Sequence, residues 1–237
     1  APAFFLANRA HHADVGGRTG GSMGLSTDLW QEGIVLPPVR LVAGGRKVSP
    51  VWRHLLAGVR TPEERDGDLA AQLASLESGD RRLRALVERY GRAKLQAMGS
   101  ALIDYTSRAA RAALGELPDG SWEFADWLDG DGTGAGRLEI RVRLTLAEGE
   151  ATIDFGGTSA PARGPLNANP AIVRSAIFYV VRALCADDLP ANDGLLDPVT
   201  IEVPRGSLLD PGPGRAVSGG NVETSQRIVD ALLGAAG

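Results

Sequence analysis

Between Leu138 and Leu146 every second residue is aliphatic: Leu138, Ile140, Val142, Leu144 and Leu146 alternate with Glu139, Arg141, Arg143 and Thr145. Successive side chains of a strand point to opposite faces, so this segment reads as a strand with one face buried and one wet. Glu148-Gly149 turns the chain back into Ala151, Ile153 and Phe155, which makes a hairpin. A hairpin must bury its apolar face against something, and the flanking sequence offers helices. Asn169-Pro170 opens one, because asparagine caps free N–H groups and proline suits the first helical position. The stretch Val222 to Leu233 reads as another, with apolar residues at Val222, Ile228, Val229, Leu232 and Leu233, and Val199 to Val203 reads as a short strand.

Upstream the period changes. From Asp68 onward, Leu69, Leu73, Leu76, Leu83, Val87 and Tyr90 fall at the three-and-four spacing of an amphipathic helix. Leu95, Met98, Leu102, Tyr105, Ala109 and Ala112 continue it towards Pro118. Gly79 and Gly91 are expected to punctuate this stretch into two or three helices. The run Ala3 to Ala7 reads as a short buried strand, and Gly33 to Val42 as an extended, edge-like segment because Pro37 and Pro38 cannot donate to a central ladder. The fold class is α+β (mixed): an N-terminal strand and glycine-rich loop, a helical middle, then a β-hairpin plus helices. The glycine-rich tract Asp129 to Gly136 is the one seam, separating 1–128 from 137–237 as parts of one larger domain.

Composition narrows the function classes. The net charge of −4, with acidic and basic residues interleaved, gives no surface for wrapping nucleic acid or coating an anionic membrane. The longest apolar run, Ala171 to Ala186, is broken by Arg174 and Arg182 and is too short to span a bilayer. The single cysteine, Cys185, lies in that run and reads as a buried, inert thiol in a reducing cytoplasm. There is no Gly-x-x-x-x-Gly-Lys and no Gly-x-Gly-x-x-Gly between a strand and a helix, so ATP is not expected to bind here.

The chemistry-bearing segment is Arg9-Ala10-His11-His12-Ala13-Asp14-Val15-Gly16-Gly17, which opens a loop with five glycines between His11 and Gly24. Imidazole nitrogens bind Zn, Mn or Fe, and a nearby carboxylate can ligate the ion or orient the ring. Consecutive side chains on extended backbone diverge, so His11 and His12 should not share one ion. One histidine and one aspartate are too few for a tight site, and structural histidines remain the alternative. Asp154, at the end of a strand before Gly156-Gly157-Thr158-Ser159, either serves a site or turns its loop. Asn167 and Asn169 read as a turn and a cap. Gly219-Gly220-Asn221 before a helix either leaves N–H groups open to an anion or is an ordinary helix start. His54, in the apolar stretch Val51 to Leu56, reads as packing.

The histidine segment Asn8 to Gly17 resembles the glycine-rich histidine motif of the hydantoinase B/oxoprolinase family. Further pieces follow in that family's order: Gly21-Ser22-Met23, Gln31-Glu32-Gly33-Ile34, Pro37-Pro38-Val39-Arg40-Leu41, Val59-Arg60-Thr61-Pro62 and Gly67-Asp68-Leu69-Ala70-Ala71-Gln72. Then come Asp154-Phe155-Gly156-Gly157-Thr158-Ser159, Gly164-Pro165-Leu166-Asn167 and Gly219-Gly220-Asn221-Val222-Glu223-Thr224-Ser225-Gln226. Single pieces are weak signals; their order over residues 4 to 235 is a strong one. Members of that family are longer, which implies that both ends are missing here.

The resemblance implies the metal-bearing subunit of an ATP-dependent cyclic amide hydrolase of hydantoinase/5-oxoprolinase type. A hydantoinase A-type partner would bind ATP and activate the small-molecule substrate by phosphorylation. A divalent metal (Zn, Mn or Fe) would polarise the intermediate or lower the pKa of the attacking water. Its other ligands are implied to come from an upstream His-x-x-Asp motif that this chain lacks. Related carboxylases carry tryptophan at the position of His12, which makes His11 the expected metal ligand. His12 and Asp14, with Asp154, Asn221 and Glu223, are the expected supporting or substrate-contacting groups. The alternatives are an acetone/acetophenone carboxylase-like subunit, and a non-catalytic scaffold whose Leu69–Ala112 stripe makes an interface. The piece alone need not be active.

Overall fold

The computed structural model describes residues 2–185 and 189–237. Ala1 and Ala186, the latter closing one expected apolar run, lie outside the described residues. The architecture is mixed α and β, as the change of period from 3.6 to 2 requires. The chain divides into two compact units, residues 1–24 with 29–98 and residues 25–28 with 99–237.

The first unit contains a two-stranded ribbon, β1 (Val42–Ala43) and β2 (Arg46–Lys47), then α1 (Ser49–Ala57) and α2 (Pro62–Tyr90). Pro62 occupies the first helical position of α2, Glu63 and Glu64 sit where the N-terminal dipole favours acids, and Arg89 lies in the last turn. Gly91, at φ 78°, ends the helix. Gly79 does not, contrary to expectation: α2 runs through it. The reason is a packing one, since a Cβ at Gly79 would lie 3.3 Å from both δ carbons of Leu6.

That contact also corrects the expected strand at Ala3 to Ala7. The segment pairs with no strand, Phe5 is 85% exposed, and the chain lies extended along α2 instead. Leu6 rests over Gly79, Asn8 bonds to Gln72 and Ser75, and His12 meets Gln72 and Asp68. The strap therefore runs antiparallel to the helix. His54, expected to pack, is instead exposed on α1, where Trp52 supplies the buried side chain. The Trp52 indole N–H donates to Asp66 of α2 at 2.5 Å, and Lys47 stacks 4.0 Å above the same ring. The indole above all, with the Lys47 ammonium, holds the Asp66 carboxyl below its usual range.

α3 (Arg92–Gly115) begins in the first unit and ends in the second. The second unit is built on a four-stranded sheet in the order β3-β4-β5-β6, comprising Gly120–Leu128, Leu138–Ala147, Glu150–Asp154 and Val199–Glu202. The first three strands are antiparallel neighbours and β6 is parallel to β5. β4 alternates as its sequence predicts: Ile140 and Val142 are fully buried while Arg141 and Arg143 are exposed. The tract Asp129 to Gly136 joins β3 to β4. Two helices, α4 (Pro170–Leu184) and α5 (Thr224–Ala236), pack on each other, and α5 packs on β3 and β4. The Asn169 side chain accepts from the Ala171 and Ile172 N–H groups and caps α4. Cys185 is buried, and burial pushes its thiol up from the ordinary range.

Asn167 is the polar centre of this unit. Fully buried, it accepts from Ala162 N and donates to the carbonyls of Ala162, Gly164 and Ala216 at 2.9–3.1 Å. Removing it strands several backbone groups away from water. Asn167→Ala is expected to cost about 3 kcal/mol, against about 1 kcal/mol for Ile177→Val in the adjoining core, as read from urea unfolding midpoints.

Candidate functional site

The histidine loop is fixed by one buried carboxylate. Asp14, 5% exposed, accepts from the amides of Arg60 (2.5 Å) and Gly16 (3.1 Å) and from the Arg60 guanidinium (2.7 Å). The Arg60 guanidinium also donates to the carbonyls of Gly16 and Gly17, at 3.4 and 2.8 Å. Only glycine fits here. Gly16 and Gly17 have φ of 83° and 78°, and a Cβ would come within 2.5 Å of Gly58 O and 2.6 Å of Gln31 O respectively. Backbone bonds from Ile34 N to Val15 O and from Arg18 N to Gln31 O, both 2.8 Å, tie the loop to the next segment.

Of the two histidines, His12 is the one with side-chain partners among the described residues. His12 Nε2 lies 2.8 Å from Gln72 Oε1, and Nδ1 lies 3.6 Å from Asp68 Oδ2. The Gln72 amide is oriented by Asn8: Gln72 Nε2 donates to Asn8 Oδ1, and Asn8 Nδ2 donates to Gln72 O and Ser75 Oγ. Gln72 Oε1 therefore faces His12, and the network assigns a proton to Nε2. A nitrogen that donates its proton has no lone pair for a metal. His11 is exposed and, among the described residues, has no hydrogen bond or ion pair. It borders an open cleft of about 330 Å³ together with Asn8, Arg9, His12, Asp68, Gln72 and Ser75.

Among the described residues no three His, Cys, Asp or Glu side chains come together as a metal site. The donor set fits one position of a metal's coordination shell, at His11, and not a whole shell.

The structure brings His11, His12 and Asp14 into the first unit; Asp154, Asn221 and Glu223 belong to the second. Asp154 Oδ1 accepts from Gly156 N at 2.7 Å, so the carboxylate shapes its own loop. Asn221 and Glu223 are exposed. The N–H groups of Gly219 and Gly220 both donate to Pro165 O, at 2.9 and 3.2 Å, so these two donors are spent inward and not on an anion. Sequence reasoning passed over Asp68 and Gln72 as site residues and missed Arg65. Their spacing of three and four on α2, which puts all three on one helix face, was the available signal.

The amide of Arg60, above all, holds the Asp14 carboxyl below the ordinary aspartate range, with the Gly16 amide and Arg60 guanidinium adding to it against burial. A depressed folded-state pKa means that protonation favours the unfolded chain. The contribution is complete above about pH 4 and is lost as pH falls through the folded-state value. Asp14→Asn is expected to lower stability at neutral pH by about 2 kcal/mol and to flatten the acid limb of the urea midpoint against pH.

Comparison with known proteins places these features in a family. The model of the hydantoinase B/oxoprolinase family matches residues 1–237. The chain is 33% identical to 5-oxoprolinase 1 of Arabidopsis thaliana, over 97% of this chain and 20% of that protein. It is 32% identical to the putative D-/L-hydantoinase B-type subunit of Pseudomonas sp. (strain NS671), over 87% of this chain and 37% of that protein. Among solved structures, the ATP-dependent caprolactamase from Pseudomonas jessenii superposes with a TM-score of 0.83 at 27% identity, covering 94% of this chain and 39% of that one. The chain thus spans between a fifth and two fifths of these relatives. It belongs to the hydantoinase B/oxoprolinase family.

Proposed function

We propose that residues 1–237 form part of the hydantoinase B-type component of an ATP-dependent cyclic amide hydrolase. The observation that carries this reading is the family match along the whole chain, with oxoprolinase and hydantoinase relatives beside it. In the proposed reaction the γ-phosphoryl group of ATP moves to the amide oxygen. Water then adds at the amide carbon, the ring C–N bond breaks with a proton going to nitrogen, and a second water releases phosphate. ATP is bound by a hydantoinase A-type partner, for which the apolar side chains left exposed on α2 and α3, Leu86, Met98 and Tyr105 among them, offer contact surface. No helix is long and apolar enough to cross a membrane among the described residues. The reading includes a cytoplasmic location, in keeping with a lone buried thiol.

Within this chain, the proposed task is positioning. Asp14 and Arg60 set the loop, Gln72 and Asp68 hold His12, and His11 is left pointing into the open cleft. We assign His11 as one ligand of a divalent ion (Zn, Mn or Fe) whose other ligands lie outside residues 1–237.

Full-length protein with its A-type partner, ATP and either 5-oxoproline or a hydantoin is expected to release ADP and the ring-opened product. ATP consumption that appears only with a ketone and bicarbonate would overturn the hydrolase reading in favour of a carboxylase. Metal analysis of full-length His11→Ala is expected to show bound metal falling by an equivalent per chain while the circular dichroism spectrum is unchanged. Retention of that equivalent would remove His11 from the ligand set.

A further inference from the structure

We infer that the first unit holds a second binding site, for a small uncharged molecule that is mainly apolar and carries one oxygen acceptor. The site is a cavity of about 160 Å³ beneath the histidine loop, lined by Ile34, Leu55, Leu56, Val59 and Leu69, with Arg65, Asp14 and His12 on its polar side. The inference goes beyond the hydrolase reading and does not depend on it.

Arg65 is the observation that calls for a ligand. It is 7% exposed, and among the described residues its Nη1 has no hydrogen-bond partner. A buried guanidinium N–H left without an acceptor costs free energy that a native site does not normally carry. Asp14 and His12 also border the cavity but neither accepts from Nη1, so an oxygen acceptor on a molecule seated there would meet it.

The surrounding charges decide what kind. Arg65 Nε lies 2.9 Å from Asp68 Oδ2 and Nη2 lies 3.2 Å from Glu64 Oε2, so the guanidinium already faces two carboxylates. Arg60 is paired with Asp14, which also borders the cavity. Two guanidiniums stand against three carboxylates, which leaves no uncompensated positive charge for an anion. What remains is the unpaired Nη1 amino group beside a mainly apolar space, the complement of a neutral carbonyl or ether oxygen on a hydrocarbon body. Size limits that body to a ring of five or six atoms, since a cavity of about 150 Å³ holds benzene.

The test is a calorimetric titration of the full chain with cyclopentanone, and in parallel with cyclopentanecarboxylate. Cyclopentanone is expected to bind, and the carboxylate to bind no more tightly. Arg65→Met should weaken cyclopentanone binding about tenfold or more, the scale of a hydrogen bond to a charged donor. Val59→Phe, which fills the cavity and leaves Arg65 in place, should abolish it; if Arg65→Met does not fold, Val59→Phe alone decides. Failure of cyclopentanone to bind the folded wild type, tighter binding of the carboxylate, or unchanged binding in either folded variant would overturn the inference.

Discussion

A carboxylate taken out of water survives only if donors replace the solvent it has lost. At Asp14 those donors are two backbone amides and one guanidinium, and each comes from a segment that would otherwise be free to move. The Gly16 amide curls the loop, the Arg60 amide joins it to the entrance of α2, and the Arg60 side chain reaches back to two loop carbonyls. The glycines are a consequence of that closure. With the backbone of Gly58 and Gln31 so near, no side chain fits at Gly16 or Gly17.

The second unit repeats the device with different residues. Asp131 is 2% exposed; burial pushes its carboxyl up, but amides of Thr133, Gly164 and Ala135 and the Thr133 hydroxyl outweigh that and hold it below the usual range. It thereby anchors the glycine-rich tract between β3 and β4 to the Gly164 turn, and Asn167 extends the same network to Ala216. In both units an acidic or amide side chain organises glycine-rich backbone that has no ladder of its own.

Local rules made part of this legible. The alternation along β4, the turn at Glu148-Gly149 and the cap at Asn169 each depend on neighbours in sequence, and each appears as read. β3 was missed because Asp126 and Trp127 interrupt the alternation begun by Trp122 and Phe124, and because an edge strand buries little. The strap at Ala3 to Ala7 looked like a strand since short apolar runs carry no period. Its real partner, the face of α2 around Gly79, lies more than seventy positions away. The site divided the same way. That Asn8 to Gly17 opens a glycine-rich loop was legible from its own residues, whereas the commitment of His12 depends on Asn8 orienting the Gln72 amide, a long-range fact. The inward use of the Gly219 and Gly220 amides was equally invisible, because it requires Pro165 to lie beneath them.

The strap on α2 acts as a ruler with two unequal scales. An extended chain advances about 3.3 Å per residue and a helix about 1.5 Å. From Leu6 to His12 the strap covers about 20 Å, while Gly79 to Asp68 on the helix covers about 16 Å, so slight curvature brings the two into register. Loss of one residue between Asn8 and His12 would not merely shorten the strap. Because side chains alternate along extended backbone, it would turn His12 away from Gln72. The number of residues between Asn8 and the histidine pair is therefore as much a part of the candidate site as the imidazoles themselves.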